Sequence, residues 1–196
     1  MFTKIVLIRH GETDFNLEKR YCGSSQIDLN SRGKEQAVKL CKKLPNDIER
    51  IYSSDLRRTH SFARLLFERR WIRDVSGLRE IKFGIFEGLT YQEVIDKHSF
   101  IYKRWLRDPF SVRIPGGESF RYFSSRVKKA WAKIVSENQG RQAAIITHGG
   151  PIKVILCDIL GLTMKNIWNI QPNLASATII GIYKKRVRVI SKIGVG

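Results

Sequence analysis

Ile5-Val6-Leu7-Ile8-Arg9-His10-Gly11-Glu12 and, far downstream, Ala143-Ala144-Ile145-Ile146-Thr147-His148-Gly149-Gly150-Pro151 end two apolar runs in the same way. Each run is short and uninterrupted by polar side chains, the pattern of a strand covered on both faces. Such strands belong to parallel sheets flanked by helices, where ligands bind beyond the carboxyl ends of the strands. Two His-Gly pairs at two strand ends can therefore face one cleft. After the second, Gly149-Gly150 lets the backbone approach a ligand closely, and Pro151 suits the first position of a helix over 151–160. The free N–H groups of a helix start are a ready anion site.

Working outward, the spacing predicts a helix over 31–44 with Ser31 as N-cap and a short strand over 50–53. Ser54 or Asp55 then caps a helix running to about residue 69. From 73 to 138 the pattern is mainly helical. Thr90 caps a short helix, another spans 100–107 and ends at Asp108-Pro109, and a long amphipathic helix covers 118–138. Phe120, Phe123, Val127, Trp131 and Ile134 share one face of that last helix, a core stripe. A hairpin of 174–183 and 186–190 around Lys184-Lys185 closes the chain. This alternation predicts an α/β three-layer sandwich with a mostly parallel central sheet. A mainly helical insertion at roughly 73–138 interrupts it, all within a single domain, 1–196.

Composition narrows the class. A chain of 196 residues with 42% apolar and 28% charged residues can build a core without staples. Cys22, Cys41 and Cys157 are odd in number and widely spaced, which suits a reducing cytoplasm rather than a disulfide framework. The apolar run at residues 5–8 is too short for a signal-peptide core, and no stretch is long enough to span a membrane. The net charge of +18 favours anionic ligands. The basic residues are nevertheless scattered, with Arg69-Arg70, Lys128-Lys129 and Lys184-Lys185-Arg186 the tightest groups, so nucleic acid is not the expected partner.

The strand over 50–53 runs into Ser53-Ser54-Asp55-Leu56-Arg57-Arg58, placing an arginine about one helical turn beyond a third strand end. A lone histidine is more often a capped or core residue than a catalytic one. Arg9, His10, Arg58 and His148 in one cleft are a different matter, because guanidinium forks and imidazoles together suit a phosphate. No His-x-x-x-His or Asp-x-Asp spacing supplies metal ligands, and no cofactor is expected.

Leu7-Ile8-Arg9-His10-Gly11-Glu12-Thr13 resembles the signature of the histidine phosphatase superfamily, the phosphoglycerate mutase-like branch. Asn16 falls at the asparagine of that motif. Ser53-Ser54-Asp55-Leu56-Arg57-Arg58 is similar to the family's second arginine block, Leu78-Arg79-Glu80 to its proton-donor segment, and Pro115-Gly116-Gly117-Glu118-Ser119 to its Gly-Gly-Glu-Ser helix start. Thr147-His148-Gly149-Gly150 is similar to its second histidine block. Cys22 before Gly23, and Asp28-Leu29-Asn30, depart from the commoner residues at the pocket rim.

The resemblance implies a metal-independent phosphomonoesterase with His10 as nucleophile. Arg9, Arg58 and His148 bind the phosphoryl oxygens, Asn16 and the Gly149 N–H add donors, and Cys22 and Gly23 stand at the substrate rim. Glu80 gives a proton to the leaving alcohol and then activates water. The short spacing from Glu80 to His148 is similar to the phosphatase branch. Its α-ribazole-5′-phosphate phosphatase group matches best, with phosphoserine, sugar and broad-specificity phosphatases also in view. The expected partner is a small phosphorylated metabolite, and the oligomeric state, a dimer included, is left open. Phosphoglycerate mutase activity and a non-enzymatic polyanion binder are the alternatives. Glu12 is expected to be a structural acceptor, Glu87 either a backbone holder or a pocket residue, His60 and His98 peripheral, and Trp71, Trp105 and Trp168 packing residues.

Overall fold

The computed structural model describes residues 1–184 and 186–195. Lys185, within the expected hairpin turn, and Gly196 lie outside the described residues. The strands are β1 (Phe2–Arg9), β2 (Arg50–Ser53), β3 (Ile72–Asp74), β4 (Gln142–Thr147), β5 (Ser176–Tyr183) and β6 (Arg186–Gly194). The α-helices are α1 (Asp14–Leu17), α2 (Ser31–Cys41), α3 (Arg57–Leu66), α4 (Tyr91–Arg107), α5 (Phe120–Glu137) and α6 (Gly149–Ile159). One six-stranded sheet has the order β3-β2-β4-β1-β5-β6. The first four strands of that order run parallel, and β5 and β6 complete the sheet antiparallel.

Strand alternation sorts the central side chains into two layers. Ile5 and Leu7 of β1 join Ile145, Phe123, Val127 and Ile152 under α5 and α6. Val6 and Ile8 join Ile146, Leu40 and Phe62 under α2 and α3. A smaller cluster, Phe86, Val94, Tyr102 and Ile114, supports the insertion. The expected three-layer sandwich is present.

Several local expectations need correction. Asn30, not Ser31, caps α2, its side chain accepting from Gly33 N at 2.9 Å. Leu56 stands at the N-cap of α3 with no side-chain cap. His148 caps α6, so the helix starts at Gly149 and Pro151 is its third residue. Thr90 caps its helix as expected, and the two helices foreseen over 91–107 are present as the two arms of α4, which part at His98, whose backbone is not helical (φ −140°, ψ 32°). Residues 72–74 pair with β2, so the insertion begins one strand later than residue 73.

Candidate active site

β1 and β4 are paired in register, Arg9 opposite Thr147, and the His10 N–H donates to the Thr147 carbonyl at 3.1 Å. The next residue on each strand is a histidine. The two rings meet edge to face with centroids 5.2 Å apart. The backbone therefore fixes this pair before any side-chain preference enters.

Hydrogen bonds fix the state of His10. Its Nδ1 lies 2.7 Å from the Gly11 carbonyl, which can only accept, so Nδ1 carries the proton. Arg58 Nε donates to His10 Nε2 at 3.3 Å, so Nε2 presents a lone pair. Burial, reinforced by the Arg58 and Arg9 guanidiniums, holds the imidazole well below the ordinary histidine pKa. A neutral imidazole whose Nε2 carries no proton is a nucleophile.

Arg58 is 1% exposed and donates to the Ser25 and Gly23 carbonyls at 2.9 and 2.8 Å. Arg9 donates from Nη1 to the Pro172 carbonyl at 2.7 Å, tying the 170–175 segment to the site. Two guanidiniums are thus desolvated together, held by carbonyls and an imidazole rather than by carboxylates. Such a pair calls for an anion.

His148 Nε2 is 2.9 Å from Ser54 Oγ. Leu56 N donates to the same oxygen at 3.4 Å, so Ser54 holds the ring through Nε2 and leaves its Nδ1 to another partner. That buried Nδ1, and Arg9 Nε, have no hydrogen-bond partner among the described residues. Burial and the nearby cations hold His148 far below the ordinary histidine range as well. Ser54, foreseen as a helix cap, instead orients this histidine.

The buried neutral histidines have a consequence for stability. Both bind a proton more weakly folded than unfolded, so the unfolded chain takes up protons as pH falls below about 6.5. Their contribution is intact above that value and is lost toward their lowered folded pKa values. We expect the melting temperature to drop steadily from pH 7 to pH 5. The slope is bounded at about 1.4 kcal/mol per pH unit for each histidine. Replacing His10 or His148 by asparagine flattens it, and an unchanged slope in both variants refutes the assignment.

Glu80 comes from an irregular stretch between β3 and α4. Its carboxylate accepts from Gly150 N at 2.9 Å and from Ile81 N at 2.9 Å, which anchors it at the start of α6. A Cβ at Gly150 would lie 2.0 Å from Glu80 Oε1 and 3.0 Å from Phe123 Cζ. Gly150→Ala is therefore expected to displace the carboxylate and lower kcat roughly tenfold or more. The carboxylate can swing, so the melting temperature should move only a few degrees. Equal kcat in wild type and variant contradicts this.

The remaining sequence-predicted residues surround this core. Asn16 Oδ1 accepts from Thr13 N and Oγ1, closing a capping box on α1. Gly23 gives its N–H to Glu87 and its carbonyl to Arg58. The neighbouring Cys22 thiol is pushed up by burial and stays neutral. The Arg9 guanidinium packs over Gly149, where a Cβ would lie 3.5 Å from its Cζ. Glu87 is a backbone holder, accepting from Gly23 N, Ser24 N, Ser25 Oγ and Phe83 N. Glu12 accepts from Asn30 Nδ2, the structural role expected of it. His60 pairs with Asp74 away from the site.

Beside Arg9 and Glu80 opens a cavity of about 1140 Å³ walled by Tyr21, Phe83, Tyr102, Trp105 and Trp168. Trp105 and Trp168, expected as packing residues, meet edge to face on this wall, while Trp71 is 77% exposed. Lys153, one turn along α6, extends over the Trp168 ring at 5.3 Å and also lines the cavity. Periodicity gave no reason to single out Lys153, and it offered Ser54 only as a helix cap. Among the described residues no group of three His, Cys, Asp or Glu is placed to hold a metal, and no helix is long and apolar enough to cross a membrane.

Comparison with known proteins bears on this arrangement. The family model described as histidine phosphatase superfamily (branch 1) matches residues 5–193. Phosphoserine phosphatase 1 of Hydrogenobacter thermophilus is 30% identical over 195 residues, 98% of this chain and 92% of that protein. The crystal structure of the α-ribazole phosphatase from Shigella flexneri superposes with a TM-score of 0.89 at 26% identity, covering 95% of this chain and 94% of that one. A phosphoserine phosphatase from Entamoeba histolytica, solved in complex with phosphoserine, superposes with a TM-score of 0.85 at 25% identity, covering 97% and 96%. The chain belongs to branch 1 of the histidine phosphatase superfamily, shares its phosphoglycerate mutase-like fold, and is a phosphatase enzyme.

Proposed function

We propose that this phosphatase hydrolyses small phosphate monoesters without a metal, through a phosphohistidine on His10. The observation that carries this reading is the proton-free His10 Nε2, which accepts from the buried Arg58 guanidinium and feels the charge of the part-buried Arg9. Nε2 attacks phosphorus in line as the bond to the ester oxygen breaks. Glu80 gives its proton to that oxygen, and the alcohol leaves. Arg9, Arg58 and the His148 Nδ1–H hold the phosphoryl oxygens and offset their charge, with Gly149 N–H and Asn16 as further donors. Water then gives a proton to the Glu80 carboxylate and attacks phosphorus. The N–P bond breaks, orthophosphate forms, and Glu80 is protonated again.

For the alcohol, α-ribazole 5′-phosphate is the first candidate. The aromatic wall of Tyr21, Phe83, Trp105 and Trp168 suits a ring-bearing leaving group. Phosphoserine is the second, on the strength of what the similar phosphoserine phosphatases act on. Three free cysteines suit a cytoplasmic enzyme. The test is phosphate release across a panel of monoesters with EDTA present. Release that persists in EDTA, with radiolabel trapped on the protein as an acid-labile, alkali-stable adduct, supports the mechanism. Release abolished by EDTA and restored by a divalent metal overturns it.

A further inference from the structure

We propose that Arg126 is a positioning residue that holds Glu80 in register with the phosphoryl site. Arg126 projects from α5, and each of its five N–H groups has a partner. Nε donates to Glu118 Oε1 at 2.7 Å. Nη1 donates to the Gly77 and Arg79 carbonyls at 3.0 and 2.8 Å. Nη2 donates to the Glu80 carbonyl at 3.0 Å and to Glu118 Oε2 at 2.8 Å. A guanidinium cannot be used more completely.

Three of these bonds grip the chain immediately before and at Glu80. Residues 79–83 belong to no strand or helix, so no ladder fixes the Glu80 backbone. Arg126 supplies that restraint from α5, a rigid element whose Phe123 lies under the guanidinium at 5.0 Å. Glu118 completes the clamp from the other side. Its N–H donates to the Lys82 carbonyl at 2.9 Å, and the Arg126–Glu118 pair is only 17% and 11% exposed. The Glu80 carboxylate is thus held at two levels, its oxygens by α6 and its backbone by α5. A lysine has one charged nitrogen and cannot reach carbonyls on both sides while engaging both carboxylate oxygens.

The proposal rests on Glu80 being the proton donor, and the experiment separates the two. Arg126→Lys is assayed with 4-nitrophenyl phosphate, whose phenol leaves without a proton, and with alkyl phosphates, whose alcohols need one. A misplacement near 1 Å costs about 100-fold. We expect kcat/KM, which reports the phosphorylation step alone, to fall on the order of 10- to 100-fold on alkyl esters, with kcat/KM for 4-nitrophenyl phosphate and inhibition by orthophosphate within about threefold of wild type. In a Glu80→Gln background, Arg126→Lys should cost nothing more. Equal losses of kcat/KM on all esters, weakened orthophosphate inhibition, or an additive loss in the double variant would overturn the assignment as mere structural support. If Arg126→Lys does not fold, Arg126→Gln, whose single amide cannot serve all three carbonyls, is read the same way. If Glu80→Gln itself lowers kcat/KM for alkyl and nitrophenyl esters equally, the proton-donor reading fails and takes this proposal with it.

Discussion

Replacing His10 by alanine is expected to abolish phosphate release, a loss of at least ~10⁴-fold in kcat. The effect is large because neither the second histidine nor the two arginines offers phosphorus a lone pair in place of that of His10 Nε2. His148 Nε2 is engaged by Ser54, and the guanidiniums have none to give. The fold should survive, since Arg58 keeps its bonds to Ser25 and Gly23 and the β1–β4 register does not depend on the imidazole. Orthophosphate should still bind, because Arg9, Arg58 and His148 remain. The check is steady-state release together with radiolabel transfer from the ester, present in wild type and absent in the variant. Turnover within tenfold of wild type would rule out a covalent role for His10.

Glu80→Gln is the second large effect, about 10²- to 10⁴-fold. The two side chains are nearly isosteric, but the carboxylate accepts two backbone N–H groups, from Gly150 and Ile81. A glutamine turns one acceptor into a donor and faces an N–H with an NH₂. Proton supply to the alcohol and proton removal from water are both lost. With 4-nitrophenyl phosphate the first step needs no proton, so the second becomes limiting. Rapid-quench kinetics should then show a burst of nitrophenol and accumulation of phosphoenzyme. A variant that reacts slowly with no burst would instead confine Glu80 to the first step.

How much could be read in advance depended on the kind of physical signal each residue leaves. Ile5–Ile8 and Ala143–Thr147 are buried on both faces, so they read as strands without ambiguity, and the histidines that follow them were legible by position alone. Arg58 and Glu80 were legible through blocks that resemble a family, not through any periodicity. Cap positions failed where two polar residues compete. Asn30 and Ser31 are adjacent and both able, and only the backbone geometry selects Asn30. Ser54 misled for a related reason: its hydroxyl serves a histidine 94 positions away. Residues 72–74 hid because a three-residue edge strand carries too few side chains for alternation to show. The aromatic wall was invisible because Trp105 and Trp168 come from separate segments, and composition cannot separate a cavity lining from a core.

The sheet order sets the timing of biosynthesis. β1 is made first, yet its two neighbours, β4 and β5, are among the last elements to be translated. The first strand must therefore wait, unpaired and apolar, while the intervening chain emerges. Contacts closed over such long sequence separations form slowly. The histidine pair exists only once both halves of the polypeptide have met, so a truncated or stalled product carries the motif of residues 9–12 but no assembled centre. Such a nascent chain also presents a bare hydrophobic strand, the kind of segment that chaperones shield.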